Sequence, residues 1–160
     1  MDLQEFWNLV EPGKASEDPE SSLKSELQNL SPEKLESFQL HFDNLVDKAY
    51  SWELWGAAYI IHGGCSDDGF IDFRYTLISK GKEAYERALA DPDYLAKISK
   101  GQDMENEMYG YVARNIYRSK VGKEIPRRGP EALHPVGQKW DFDNESENKK
   151  RLPKLSTIFG

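Results

Sequence analysis

The sequence predicts an all-α fold: an irregular, single-domain helical bundle around a buried central helix, with a proline-rich, irregular C-terminal arm. Three observations predict it. Apolar residues recur at three- and four-residue spacings behind repeated cap-plus-proline signals, at Asp18-Pro19-Glu20, Ser31-Pro32-Glu33 and Asp91-Pro92. The run Trp52–Ile61 leaves almost no polar face, yet it is far too short to cross a membrane, so its own protein must surround it. No long alternating run, heptad pattern or internal repeat is present, which leaves a sheet or a coiled coil without support.

Taken in order, Asp2–Val10 is a short amphipathic helix with Leu3, Phe6, Trp7 and Val10 on one side, ended by Pro12-Gly13. Asp18 caps a second helix that starts at Pro19 and carries Leu23, Leu27 and Leu30 on one face. Ser31-Pro32-Glu33 opens a third, whose Leu35, Phe38, Phe42, Leu45, Val46 and Ala49 keep helical period. His41 sits at the edge of that face as a packing or solvated residue, since no second His or Cys lies at ligand spacing. Trp52–Ile61 is the central helix, and its Gly56, Ala57 and Ala58 let neighbouring helices approach closely. Gly63 and Gly64 then close it, and Ser66 caps a successor with Phe70, Phe73, Leu77 and Ile78 as its buried stripe. Tyr85 and Leu89 mark a further helix, and Asp91-Pro92 opens a short one over Asp93–Ile98. Asp103–Ser119 is expected as the last clear helix, with Met108, Val112 and Ile116 inward and Gly122 as its stop. From Lys123 onward Pro126, Gly129, Pro130, Pro135 and Gly137 preclude regular structure to about Gln138, and Pro153 limits any later helix. The chain thus divides into a helical body over 1–122 and an arm over 123–160. Trp140, Leu152, Leu155, Ile158 and Phe159 dock the arm back on the body.

Composition narrows the class. The aromatic share of 12% suits a core built on large rings rather than a disordered acidic chain. The single Cys forms no intrachain disulfide, and the first residues show neither a basic nor an apolar leader region, so cytoplasmic residence and no membrane association are expected. The net charge of −7 is unevenly placed: residues 1–110 carry −12 and residues 111–160 carry +5. A basic tail lying against an acidic body is the plain reading. A nucleic-acid surface at Arg114, Arg118, Lys120, Lys123, Arg127 and Arg128 is the alternative, opposed by the acidity of the rest.

Chemistry concentrates at the Gly-Gly-Cys-Ser-Asp-Asp-Gly turn. Cys65 lies just before a helix N-terminus, where a thiolate is favoured, and His62 is the nearest base. The competing reading is a small buried thiol. Asp67, Asp68 and Asp72 supply carboxylates for a hard cation or for acid–base work, but the calcium-loop spacing is missing and His62 with Cys65 is half a zinc site. The exposed N–H groups behind Gly63 and Gly64 suit an anion, which Asp67 and Asp68 oppose. Arg74 is placed to pair with Asp67 or Asp68, and Trp55, Tyr59, Phe73 and Trp140 either line a pocket or are plain core. Cys65, Asp67 and Asp68 are therefore the catalytic candidates. His62, Gly63, Gly64, Ser66, Arg74, Trp55 and Tyr59 are the binding candidates, with no metal and no cofactor assigned.

The run W-x-L-W-G-A-A-Y-x-I-x-G-G-C-S-D-D-G-F-x-x-F-R, from Trp52 to Arg74, resembles the hallmark of a widespread bacterial family classified as a domain of unknown function. F-W-N-L-V near Phe6, S-P-E-K-L from Ser31, Y-E-R-A-L-A-D-P-D-Y-L from Tyr85, G-Q-K-W-D around Trp140 and R-L-P-K-L near the C-terminus extend the resemblance. It implies a small soluble protein, sometimes joined to modules of nucleic-acid proteins, and no catalytic assignment. At His62 that pattern expects an Asn-like residue, which counts against a Cys–His pair. Three functions stay open. The first is an interaction protein of a regulatory or immunity type, whose acidic body suits a basic protein partner. An enzyme or metal-dependent module using the turn, and a nucleic-acid-associated protein using the basic C-terminal region, are the others.

Overall fold

Short helices from every part of the chain share one aromatic core in the computed structural model, which describes residues 1–99, 104–127, 129 and 131–160. The order is α1 (Leu3–Val10), a 3-10 turn, α2 (Pro19–Leu27), α3 (Pro32–Lys48), α4 (Trp52–His62), α5 (Asp67–Ser79), α6 (Lys82–Ala90), a 3-10 helix over Pro92–Lys97, a second over Glu107–Tyr111, α7 (Val112–Val121), α8 (Glu145–Arg151) and α9 (Pro153–Phe159). Among the described residues there is no strand; a lone parallel bridge ties Ser51 to Val136.

Caps set the boundaries. Asp2 and Glu5 form a reciprocal capping box on α1, and Asp18 and Ser31 cap α2 and α3 ahead of their prolines. Phe6 stacks on Phe38 at 4.6 Å between ring centres, Trp7 meets Tyr85 at 5.5 Å, and Phe42 reaches Tyr75 at 5.4 Å. These contacts fasten α1, α3, α5 and α6 into one core. His41 packs as the sequence predicts, with Nε2 2.8 Å from the Met1 carbonyl.

α4 is the enclosed rod that its composition demands. It packs against α5, α9 and the Pro92–Lys97 turn, and of its residues only Glu53 is exposed. Of the small residues, Gly56 acts differently from expectation. Where Gly56 was expected to admit a helix, it admits a ring: a Cβ there would run into the Trp140 indole and crowd Phe142. Trp140 is clasped in that notch by Nε1–H donation to Asn148 Oδ1 at 2.8 Å, while Asn148 donates to the Phe142 carbonyl.

Two other expectations change. The helix expected from Asp103 begins at Val112, behind the 3-10 helix; Asp103 itself, like Pro130 and Arg128, lies outside the described residues. The Tyr75 ring presses on Gly110 where a Cβ would sit, so the tighter turn carries Tyr109 and Gly110 inward. Ala113 and Tyr117 continue the buried side of α7, Ile116 is half-buried, and Met108 is 51% exposed. Irregular backbone over the described residues of 123–143 gives way to α8 and α9, and Pro153 opens α9 instead of limiting it, because a first-turn proline forfeits no helical hydrogen bond. Asp93, 5% exposed, accepts the backbone N–H groups of Lys154 and Leu155 at 3.0 and 2.9 Å, capping α9 from a distant part of the chain.

The basic segment lies against acids. Arg114 reaches Asp43 at 3.4 Å, Arg127 reaches Asp47 at 2.9 Å, and Arg118 reaches Glu124 at 2.8 Å. Lys120 donates to the Leu30 carbonyl.

Candidate functional site

The joint between α4 and α5 is built from its two glycines outward. Gly63 is left-handed at φ 69°, and the Gly64 N–H returns to the Tyr59 carbonyl at 2.8 Å, the six-to-one closure of a helix end. Ser66 Oγ then accepts the Gly69 N–H at 3.1 Å and starts α5. The Trp55 indole, stacked on Trp52 and Phe70, donates to the Cys65 carbonyl at 2.9 Å and fixes the turn between them.

Inside the joint Arg74 has an architectural task. It is 4% exposed and donates from Nη1 to the Val46 carbonyl at 2.9 Å and from Nε to the Phe70 carbonyl. Its guanidinium lies 4.4 Å from the centre of the Tyr50 ring and 4.8 Å from that of Phe70. Val46 belongs to the last turn of α3, and Arg74 caps that helix by donating to its carbonyl; Tyr85 donates to the Leu45 carbonyl at 2.6 Å, which also accepts the Ala49 N–H. The expected ion pair with Asp67 or Asp68 is absent from the described contacts. Instead Asp67 accepts from the Tyr50 hydroxyl at 3.2 Å, and Asp68 is exposed in the first turn of α5. Burial lowers the Arg74 pKa, and Tyr50, Asp67 and Asp47 partly restore it.

Cys65 and His62 do not pair. The thiol turns to the Ser66 carbonyl at 3.6 Å, and His62 Nδ1 turns to Glu105 at 3.1 Å. Since the carboxylate accepts, Nδ1 carries that proton; Nε2 is buried with no partner among the described residues, and the ring stands edge-on to Phe73. Burial pushes the Cys65 thiol up from 9.0 to about 11, with Glu105 and Asp72 adding to the rise. That is the reverse of thiol activation. Asp72 is also raised, by burial and then by Glu107, Asp68 and Glu105, so several carboxylates converge beside the joint. Among the described residues no group of three or more His, Cys, Asp or Glu is placed to hold a metal ion. Tyr59 lies on the other side of α4, its hydroxyl donating to Asp143 of the C-terminal arm at 2.6 Å.

A second feature escapes a reading of the sequence. A groove of about 460 Å³ runs between α2 and α7, with Met108, Val112 and Ile116 along its floor and Lys24, Gln28 and Lys120 on its walls. The floor residues are the apolar stripe that the sequence assigns to the core. Four-residue spacing reveals such a stripe but says nothing about what covers it, and here the facing side of α2 is polar.

The fold and the joint together define a class: an all-α domain in which an aromatic-braced helix corner, carrying a buried arginine, locks a central helix to its successor. The chain belongs to the DUF4240 family, proteins of unknown function, whose sequence profile matches residues 1–119. The stretches around Trp140 and before the C-terminus lie beyond that match. Comparison with curated proteins finds no match, and comparison with solved structures finds none either.

Proposed function

We propose that this chain is a binding protein that docks a helical segment of a partner protein in the groove between α2 and α7. The observation that carries this reading is the apolar lining of the groove: Met108, on the 3-10 helix that precedes α7, is 51% exposed, and Ile116 of α7 is half-buried beside the buried Val112, while Ala113 and Tyr117 seal the other side of the helix. Large apolar side chains lined up at one-turn intervals in an open groove are how a helix-in-groove interface is read, and methionine adapts such surfaces to their ligands. The joint supports the reading because several of its candidate residues have structural tasks. Gly63, Gly64 and Ser66 close and cap helices, Trp55 and Arg74 brace them, Tyr59 holds the arm, and the Cys65 thiol is held protonated. Arg114, Arg127 and Arg118 of the basic segment engage Asp43, Asp47 and Glu124, which favours a protein partner over nucleic acid. Among the described residues no helix is long and apolar enough to cross a membrane; a cytoplasmic location completes the proposal.

Met108→Glu tests it. An exposed docking residue predicts an unfolding free energy within about 0.5 kcal/mol of the parent, together with loss of partner docking. A stripe that belongs to the core instead predicts a loss of about 2 kcal/mol or more, and that result would sink the proposal.

A further inference from the structure

Resting on the groove reading, we infer that the partner segment is an amphipathic helix whose apolar face is flanked by carboxylates. Val112 and Ile116 stand one turn apart on α7, with Met108 on the 3-10 helix just before them, so this lining meshes with a helix presenting apolar residues about one turn apart. From Met108 to Lys120 the groove runs for roughly 18–20 Å, the length of a helix of about thirteen residues.

The walls choose the charge. Lys24 and Lys120 come from different helices, one from α2 and one from α7, and Glu20 is the single acid in the lining, so the lining is net cationic on a chain of net charge −7. Lys24 is exposed and has no ion-pair partner among the described residues, and Lys120 is held near the groove by its bond to the Leu30 carbonyl at 3.1 Å. Gln28, Asn115 and Ser119 add side chains that donate to carboxylates. A second copy of this acidic chain is the less suited occupant, because two copies repel at long range.

The whole molecule biases the test against this inference. A cationic peptide is drawn to a chain of charge −7, so a preference for an anionic one arises only from the local lysines. Two helical peptides of about fourteen residues, with the same leucine face and either glutamate or lysine flanks, are titrated at low salt into the full-length ¹⁵N-labelled protein. The glutamate peptide is expected to shift amides of residues 20–28 and 108–120 and to bind about tenfold more tightly than the lysine peptide. A Lys24→Glu, Lys120→Glu double variant inverts that order, and Met108→Glu abolishes both. Equal or better binding of the lysine peptide in the same groove overturns the anionic partner while keeping the groove. Absence of shifts there with either peptide overturns both, and a concentration-dependent dimer abolished by Met108→Glu replaces the partner with a second copy.

Discussion

Alkylation of Cys65 separates an activated nucleophile from a packed thiol, and the structure fixes the size of the difference. Burial first, then the Glu105 and Asp72 carboxylates, move the thiol from 9.0 to about 11. A rise of about two units leaves about one hundredth of the ordinary thiolate fraction at any pH well below 9. The more basic thiolate is intrinsically the better nucleophile, by about tenfold for that rise. The electrostatic deficit is therefore roughly tenfold, and partial burial adds to it. Because the chain has a single Cys, one mass shift with iodoacetamide reports the rate, and the same protein in urea supplies the reference. At about pH 7.5 the folded chain should react at least tenfold more slowly than the unfolded one. Its rate should climb with pH through about pH 9 without a plateau, and Glu105→Gln should speed it. A plateau at or below about pH 8, or a folded rate above the unfolded one, would refute the electrostatic reasoning and return Cys65 to the catalytic candidates.

Two further outcomes follow from the same geometry. Asp93→Ala removes the acceptor of two N–H groups at the start of α9, one part-buried and one buried, at a cost of about 3 kcal/mol. Asp93→Asn should cost about half of that, read from denaturation midpoints, and hydrogen exchange should rise at residues 153–159. For Asp72 the sign runs the other way. Its folded pKa is raised, so the proton is held more tightly in the folded chain, and the stability it contributes at low pH is lost as pH rises through that value. Asp72→Asn should then stabilise the protein at neutral pH by about 0.5 kcal/mol or less after solvent screening, and change nothing at about pH 3.

Much of the fold is legible in the residues because the signals are local. Asp18-Pro19 and Ser31-Pro32 cap and start α2 and α3 where the sequence places them, and Gly63 closes α4 in the left-handed conformation that glycine adopts freely. What stays hidden is non-local. Nothing near Pro153 in sequence announces that Asp93, from a different turn, caps the helix that it opens. Gly56 reads as room for a helix because small residues signal close approach without naming the visitor, and Trp140 is the visitor. Arg74 looks like a partner for the acids nearly two turns earlier on its own helix. The unsatisfied carbonyl of Val46 is the stronger claim, since an arginine buried there needs acceptors and α3 ends with spare ones.

The long motif from Trp52 to Arg74 is thereby given a physical reason that requires no active site. Trp55, Gly63, Ser66, Phe70 and Arg74 each meet a demand of the joint: an indole to fix the turn, a left-handed residue to close one helix, a hydroxyl to open the next, a ring and a guanidinium to cap α3. A corner with so many simultaneous constraints tolerates few residue types, so an unusual sequence is what its geometry calls for. The proposed recognition then falls to a surface away from the joint: Met108, Val112 and Ile116 line the groove with α2, while the joint lies between α4 and α5. Changing the stripe should alter binding and spare the fold, and changing the joint should do the reverse.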